Sequence, residues 1–213
     1  MSSAPITVGP LIVAAFAASR AKYYDIYQRW IAASWRTGSR IPDSMAMMSI
    51  QRIGEVDLIC RSLEDELLQQ PPASGEMDFR DNYLMMFGEV WIGSAYAIAF
   101  ALKSRGLLSE RSEFRELAEN LRLVRVQSEK HEIPSDRKLT EPLQLSTGNA
   151  QPGEASERFY QYDRDDPLRA HIPRRGVSDR RSPMWEVIDV KAKTMRWFER
   201  RALADAMLDI FTV

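Results

Sequence analysis

The sequence predicts a mainly α-helical protein, a helical bundle of four to five helices with a small β-hairpin near the C-terminus, and three observations carry that prediction. Apolar residues recur at three- and four-residue spacing in four long stretches before residue 133, the mark of helices that bury one face. This periodicity vanishes between Pro134 and Pro183. Two short alternating runs and a last helical pattern then close the chain. The same boundaries give a helical bundle over 1–133, an irregular, basic arm or insertion over 134–183, and a hairpin plus C-terminal helix over 184–213 that completes the first domain.

The first helix is expected from about Pro10 to Trp35, with Phe16, Tyr23, Tyr27, Trp30 and Ile31 on its apolar face. Pro10 suits its first turn, where no intrahelical N–H is needed. "RTGSRIPDS" breaks the pattern, and a second helix follows from about Ser44 to Gln70 through Met48, Ile53, Val56, Ile59, Cys60, Leu63 and Leu67. "PPASGEMD" ends it. The third, about Asp78 to Arg105, presents Leu84, Phe87, Trp91, Ala95, Ile98 and Leu102 on one face. Beside that face Gly93, Ala97 and Ala101 repeat every four residues, which lets a neighbouring helix approach its backbone. Lys103 and Arg105 complement the negative helix end, and Gly106 is placed to terminate it.

A fourth helix starts near Ser109 or Ser112 and carries Phe114, Leu117, Leu121 and Val124. The short connection makes it an antiparallel neighbour of the third. It must end before Pro134, because the residue preceding a proline is pushed out of the helical region. Further on, "WEVIDV" and "MRWFE" read as two strands joined by "KAKT", and "RRALADAMLDIF" as a helix with Leu203, Met207, Ile210 and Phe211 inward.

A chain of 213 residues, 45% hydrophobic, buries a proper core without staples. Cys60 is the sole cysteine, so no internal disulfide forms. His131 and His171 are the only histidines, too few for a zinc site of His and Cys. No metal and no cofactor are expected. The net charge of −1 and a pI near 6.2 exert no global pull on nucleic acid or membrane, so a polyanion would need a local patch. The apolar "PLIVAAFAA" has no Lys or Arg before it and falls short of the roughly 20 residues of a membrane span. It reads as the start of a soluble helix in a cytoplasmic protein with no membrane attachment.

Glu113-x-x-Glu116 and Glu129-x-x-Glu132 imitate the carboxylate pairs of magnesium-dependent nucleotide hydrolases, but no Gly or Pro lies between Glu116 and Glu129 to turn the chain. On one continuous helix those two residues stand roughly 140° apart, so solvated ion pairs such as Arg125 to Glu129 are expected instead. The local electropositive candidate is "RAHIPRRGVSDRR", where Arg169, Arg174, Arg175, Arg180 and Arg181 face Asp179 alone. There His171 reads as an exposed loop residue that can reach phosphate. Tyr160 and Tyr162, beside Arg158 and Arg164, are suited to stacking on single-stranded bases.

The stretch "LRLVRVQSEKHEI" ends an amphipathic helix and holds Arg125 and His131 six residues apart. A helical bundle in which such a helix closes on Arg-x(4–6)-His resembles the HEPN superfamily of nucleic-acid-associated domains. The resemblance covers helix order from about residue 10 to 133 plus this motif. It implies a homodimer and an RNA-directed role in stress, defence or a toxin–antitoxin pair, with Arg125 and His131 as the catalytic pair of a metal-independent endoribonuclease. His131 would then move a proton at the ribose 2′-hydroxyl or the leaving oxygen, and Arg125 would hold the scissile phosphate. Arg122, Lys130, Arg169, Arg174 and Arg175 are the expected nucleic-acid contacts, and the third and fourth helices the expected dimer faces. Active members carry a polar residue after the arginine, where this chain has Val126. On an ideal helix the pair stands about 120° apart and converges only if the helix ends before His131. The alternative is a non-catalytic protein-interaction or regulatory module, in which the 134–183 arm folds onto a protein partner, Arg125 pairs with Glu129 and His131 merely closes the helix.

Overall fold

In the computed structural model, residues 7–41, 44–71, 78–146 and 159–212 are described. They form six α-helices and two small antiparallel sheets: α1 (Val8–Lys22), α2 (Tyr24–Ala33), α3 (Ala46–Gln69), α4 (Phe79–Ser104), α5 (Ser112–Lys130), β1 (Leu143–Ser146), β2 (Phe159–Tyr162), β3 (Arg174–Val177), β4 (Pro183–Asp189), β5 (Thr194–Glu199) and α6 (Arg200–Thr212). The expectation of four to five helices is therefore too low by one or two. The long first helix bends at Tyr23, which leaves helical geometry, and the α2 end runs into a π-helical turn over Ser34–Gly38. Nothing in the local sequence breaks it. The bend coincides with a tertiary contact: the Tyr23 hydroxyl donates to the Asp65 carboxylate (2.5 Å) and lies 3.1 Å from the Arg61 carbonyl of α3.

Helices α3, α4, α5 and α6 pack in sequence around one core, with β4 laid against α5. Trp30, Trp91, Phe114, Leu121, Trp185, Met207 and Phe211 are buried together there. The second helix lies so close to α3 that a Cβ at Gly54 would stand 2.6–2.7 Å from the Trp30 side chain, so glycine is required at that crossing.

Charge also enters this interior. Asp57 accepts from the Trp30 indole (2.9 Å), Arg61 Nε (2.9 Å) and Arg200 Nη1 (2.5 Å), while Glu64 takes Arg200 Nη2 (2.8 Å). Asp57, Glu64 and Arg200 are fully buried. Arg200 and Arg61 hold the Asp57 carboxyl below its ordinary range against the burial that would raise it. The network fastens the start of α6 to the middle of α3, and its cost in desolvation is offset only because every charge has partners.

Residues 134–183 are not simply irregular. β1 pairs with β2 (Leu143 opposite Tyr162), and β3 adds a third strand to the hairpin β4–β5 expected at 185–199. Residues 147–158, Arg158 among them, lie outside the described residues. At the junction the buried Gln127 amide of α5 donates to the Ile188 carbonyl (3.0 Å) and accepts from its N–H (2.9 Å), so β4 finds a side-chain rung on the helix. Among the described residues one helix, α4, is long and apolar enough to cross a membrane. Its Leu84, Trp91, Ala95 and Leu102 are buried in the core.

Candidate functional site

The last turn of α5 ends at Lys130, and His131 follows it in the left-handed region (φ 55°, ψ 35°). That turn throws the chain away from the helix axis and leaves the His131 carbonyl unpaired within the helix. The His171 N–H fills the gap, donating to it at 2.7 Å. The backbone of one histidine therefore holds the other beside it.

His171 is 8% exposed rather than the exposed loop residue expected from sequence. Burial pushes its imidazole from the ordinary 6.5 down to about 4, so the ring is neutral at physiological pH. Its Nδ1 is bonded to the Tyr160 hydroxyl, and burial raises that phenol. With the Tyr160 hydroxyl as donor to Nδ1, the ring proton sits on Nε2; with Nδ1–H as donor, the phenol oxygen accepts and Nε2 is bare. Nε2 is buried and has no partner among the described residues. A buried donor or acceptor left open costs about 1–3 kcal/mol, unless a ligand takes it.

Both histidines line one cleft of about 1130 Å³ between the two sheets. One wall is the β1–β2 ladder with Phe159 and Tyr160; the other is the face of β3–β4–β5, where Arg174 stands opposite Glu186 and Glu186 opposite Trp197. Phe159 is 66% and Trp197 45% exposed, two aromatic platforms on a surface that folding alone does not need. Among the described residues, Arg174 and Arg175 against Glu186 are the charged lining residues, giving an excess of one positive charge. Arg174 pairs with Glu186 and Arg175 with Glu89 (2.6 Å). The two arginine side chains are 39% and 43% exposed.

The structure thus brings together His131, Arg174 and Arg175 from the expected set, and not the others. Arg125 pairs with Glu129 at 2.8 Å and lies 4.9 Å from the Tyr96 ring centre, and no hydrogen bond joins it to His131 among the described residues. Arg122 makes two bonds to Glu119 (2.9 and 2.8 Å), whose carboxyl falls to about 2 through Arg122 first and Lys191 second. Arg169 is held by Asp136 at 3.0 Å, and Lys130 is exposed in the last turn of α5. The basic run read as a free arm is largely neutralised, since Arg180 too is paired, with Glu199 at 2.6 Å. Glu113, Glu116 and Glu129 share one continuous helix. Tyr162 is buried, its hydroxyl donating to Asp136 and accepting from the Ile133 N–H, so it offers no stacking face.

Sequence reasoning missed the Tyr160–His171 pair and Trp197. For Trp197 the strand alternation held the signal: Phe198 faces the core, so its neighbour faces out. Compared with known proteins, the chain matches no family model, no curated protein and no solved structure.

Proposed function

We propose that the protein is RNA-directed, of HEPN type, and that it takes single-stranded RNA in the cleft between the sheets where α5 ends. The observation that carries this reading is one cleft that holds His131 and the neutral His171 together with Arg174, Phe159 and Trp197. Arg174 and Arg175 supply the charge that attracts the backbone, and Phe159 and Trp197 supply faces for unpaired bases. A duplex offers no such bases, which is why the reading is confined to single strands.

As an endoribonuclease the site needs no metal. His131, exposed at the cleft, takes the proton of a ribose 2′-hydroxyl as its oxygen bonds to phosphorus; the bond from phosphorus to the 5′-oxygen breaks, and that oxygen takes a proton from solvent water. The products are a 2′,3′-cyclic phosphate and a 5′-hydroxyl. In this arrangement Arg174 takes the phosphate-holding role that the Arg-x(4–6)-His resemblance gives to Arg125.

A second reading is favoured by the engagement of Arg125 with Glu129 and Tyr96: the cleft binds RNA without cutting it. One experiment separates the two. A mixed single-stranded RNA pool is incubated with wild type, His131→Ala and His171→Gln in EDTA, and the ends are analysed. Cleavage leaving cyclic phosphate in wild type but not in His131→Ala establishes the enzyme. Binding without cleavage leaves the module. Absence of binding by wild type refutes the cleft as an RNA site.

A further inference from the structure

Helix α4 buries one side only. Leu84, Gly88, Trp91, Ala95, Ile98 and Leu102 face the core, and another side carries a row of large apolar residues that none of the described residues buries. Phe79, Tyr83, Met86 and Val90 are each between 49% and 59% exposed, and their spacing of four, three and four places them on one narrow stripe. The stripe continues along the helix as Ser94, Ala97 and Ala101, where the side chains turn small. Here it borders an open groove of about 530 Å³ between α3 and α4, floored by Trp91, Ile98 and Leu102. One half of the stripe is a ridge and the other a groove.

The two halves mirror each other in sequence. Met86, Tyr83 and Phe79 lie four, seven and eleven residues before Val90; Ser94, Ala97 and Ala101 lie four, seven and eleven after it. We propose that two copies of the chain pair through this stripe, antiparallel, about a two-fold axis at Val90. The pairing sets Met86 of each copy against Ser94 of its partner, Tyr83 against Ala97, and Phe79 against Ala101. Each ridge then fills the groove of the other copy, twice over, as a two-fold interface requires of a single patch.

A foreign partner would need its own ridge and groove in this register, whereas the chain already carries both. The four ridge residues alone expose roughly 400 Å² of side chain per copy, about half of the ~800 Å² per partner in a stable interface. The groove walls, which include Met45, Ile53 and Val56 of the α3 side, supply the rest. The expected faces on the third and fourth helices narrow accordingly: the apolar side of α5, with Phe114, Leu117, Leu121 and Val124, is spent on the core. This inference does not rest on the RNA reading, because the cleft and the stripe share no residue.

Light scattering after size exclusion should give a dimer at about 100 µM protein, the range in which even a weak interface is populated. Val90→Arg, at a position exposed in the single chain, should keep the wild-type circular dichroism, and should match the wild-type melting temperature at concentrations where both are monomeric. It should raise the dissociation constant about 100-fold or more, since the axis brings both charges together. Thiol crosslinking fixes the register: Val90→Cys should crosslink to itself, and Met86→Cys to Ser94→Cys in a mixture but not to itself. A monomeric wild type, a dimer untouched by Val90→Arg, or self-crosslinking of Met86→Cys without crosslinking at Val90 overturns the proposal.

Discussion

Replacing His171 by glutamine should remove most of the dependence of stability on pH between 7 and 5. In the folded protein burial lowers the imidazole from 6.5 to about 4; in the unfolded chain it returns to its ordinary value. Between those two values the unfolded chain binds the extra proton, so stability falls as pH drops through the window and stays lost below it. The whole shift corresponds to roughly 3 kcal/mol, of which about 2 kcal/mol falls between pH 7 and pH 5. The carboxyls held low, Asp57, Asp65, Glu119 and Glu199, act in the same direction. Their unfolded values lie at 3.8 and 4.5, so they act mainly below the chosen interval. His131 is common to both proteins and cancels. Urea unfolding at pH 7 and pH 5 measures the effect. Wild type should lose about 2 kcal/mol and the variant only a small fraction of it. Equal losses in the two would mean that the folded ring takes up its proton freely, and the assignment of a neutral His171 to the cleft wall would fail with it.

Other consequences concern the interior and the helix end. Asp57→Ala strips partners from the buried Arg200 and Arg61 and should cost about 3–5 kcal/mol by chemical denaturation; a cost under about 1 kcal/mol would mean the network is solvated. Gly54→Ala pushes a Cβ into the buried Trp30 ring and should cost about 1–3 kcal/mol, with a shift in tryptophan fluorescence; neutrality would show that α2 can slide away from α3. Arg125→Ala removes a partly exposed ion pair and a stacked ring, worth at most about 1 kcal/mol, and should leave RNA affinity unchanged. A tenfold loss of affinity, about 1.4 kcal/mol, would return Arg125 to the site.

The long helices were legible because each repeats apolar residues over several turns: α3, α4 and α5 lie within three residues of their expected ends. The hairpin β4–β5 and α6 were legible from alternation and then from a three–four spacing. Tyr23 hides its bend because the hydroxyl contact that coincides with it is made to α3, not to its neighbours. Strands of four residues such as "FYQY" and "RRGV" lack the length to show alternation. Buried charge is illegible for a different reason. A pattern reader assigns Asp57, Glu64 and Arg200 to solvent, and only the three together make burial affordable. The cleft joins His131, Tyr160, the His171–Arg174 segment and Trp197 from four separate places in the chain, so His131, His171, Tyr160 and the basic residues could be chosen one by one from chemistry, but neither Trp197 nor their convergence could.

The most direct test of the cleft is equilibrium binding of a labelled single-stranded RNA of about twelve nucleotides, followed by anisotropy in EDTA, with wild type, Trp197→Ala, Phe159→Ala and Arg174→Ala. Trp197 and Phe159 are exposed, so their loss leaves the fold intact. Each aromatic substitution should weaken binding about five- to hundredfold, the range of one lost base stack, and Arg174→Ala should also flatten the salt dependence. Affinity that is the same in all four proteins, or greater for a duplex of the same sequence than for the single strand, would contradict the assignment of this cleft to RNA.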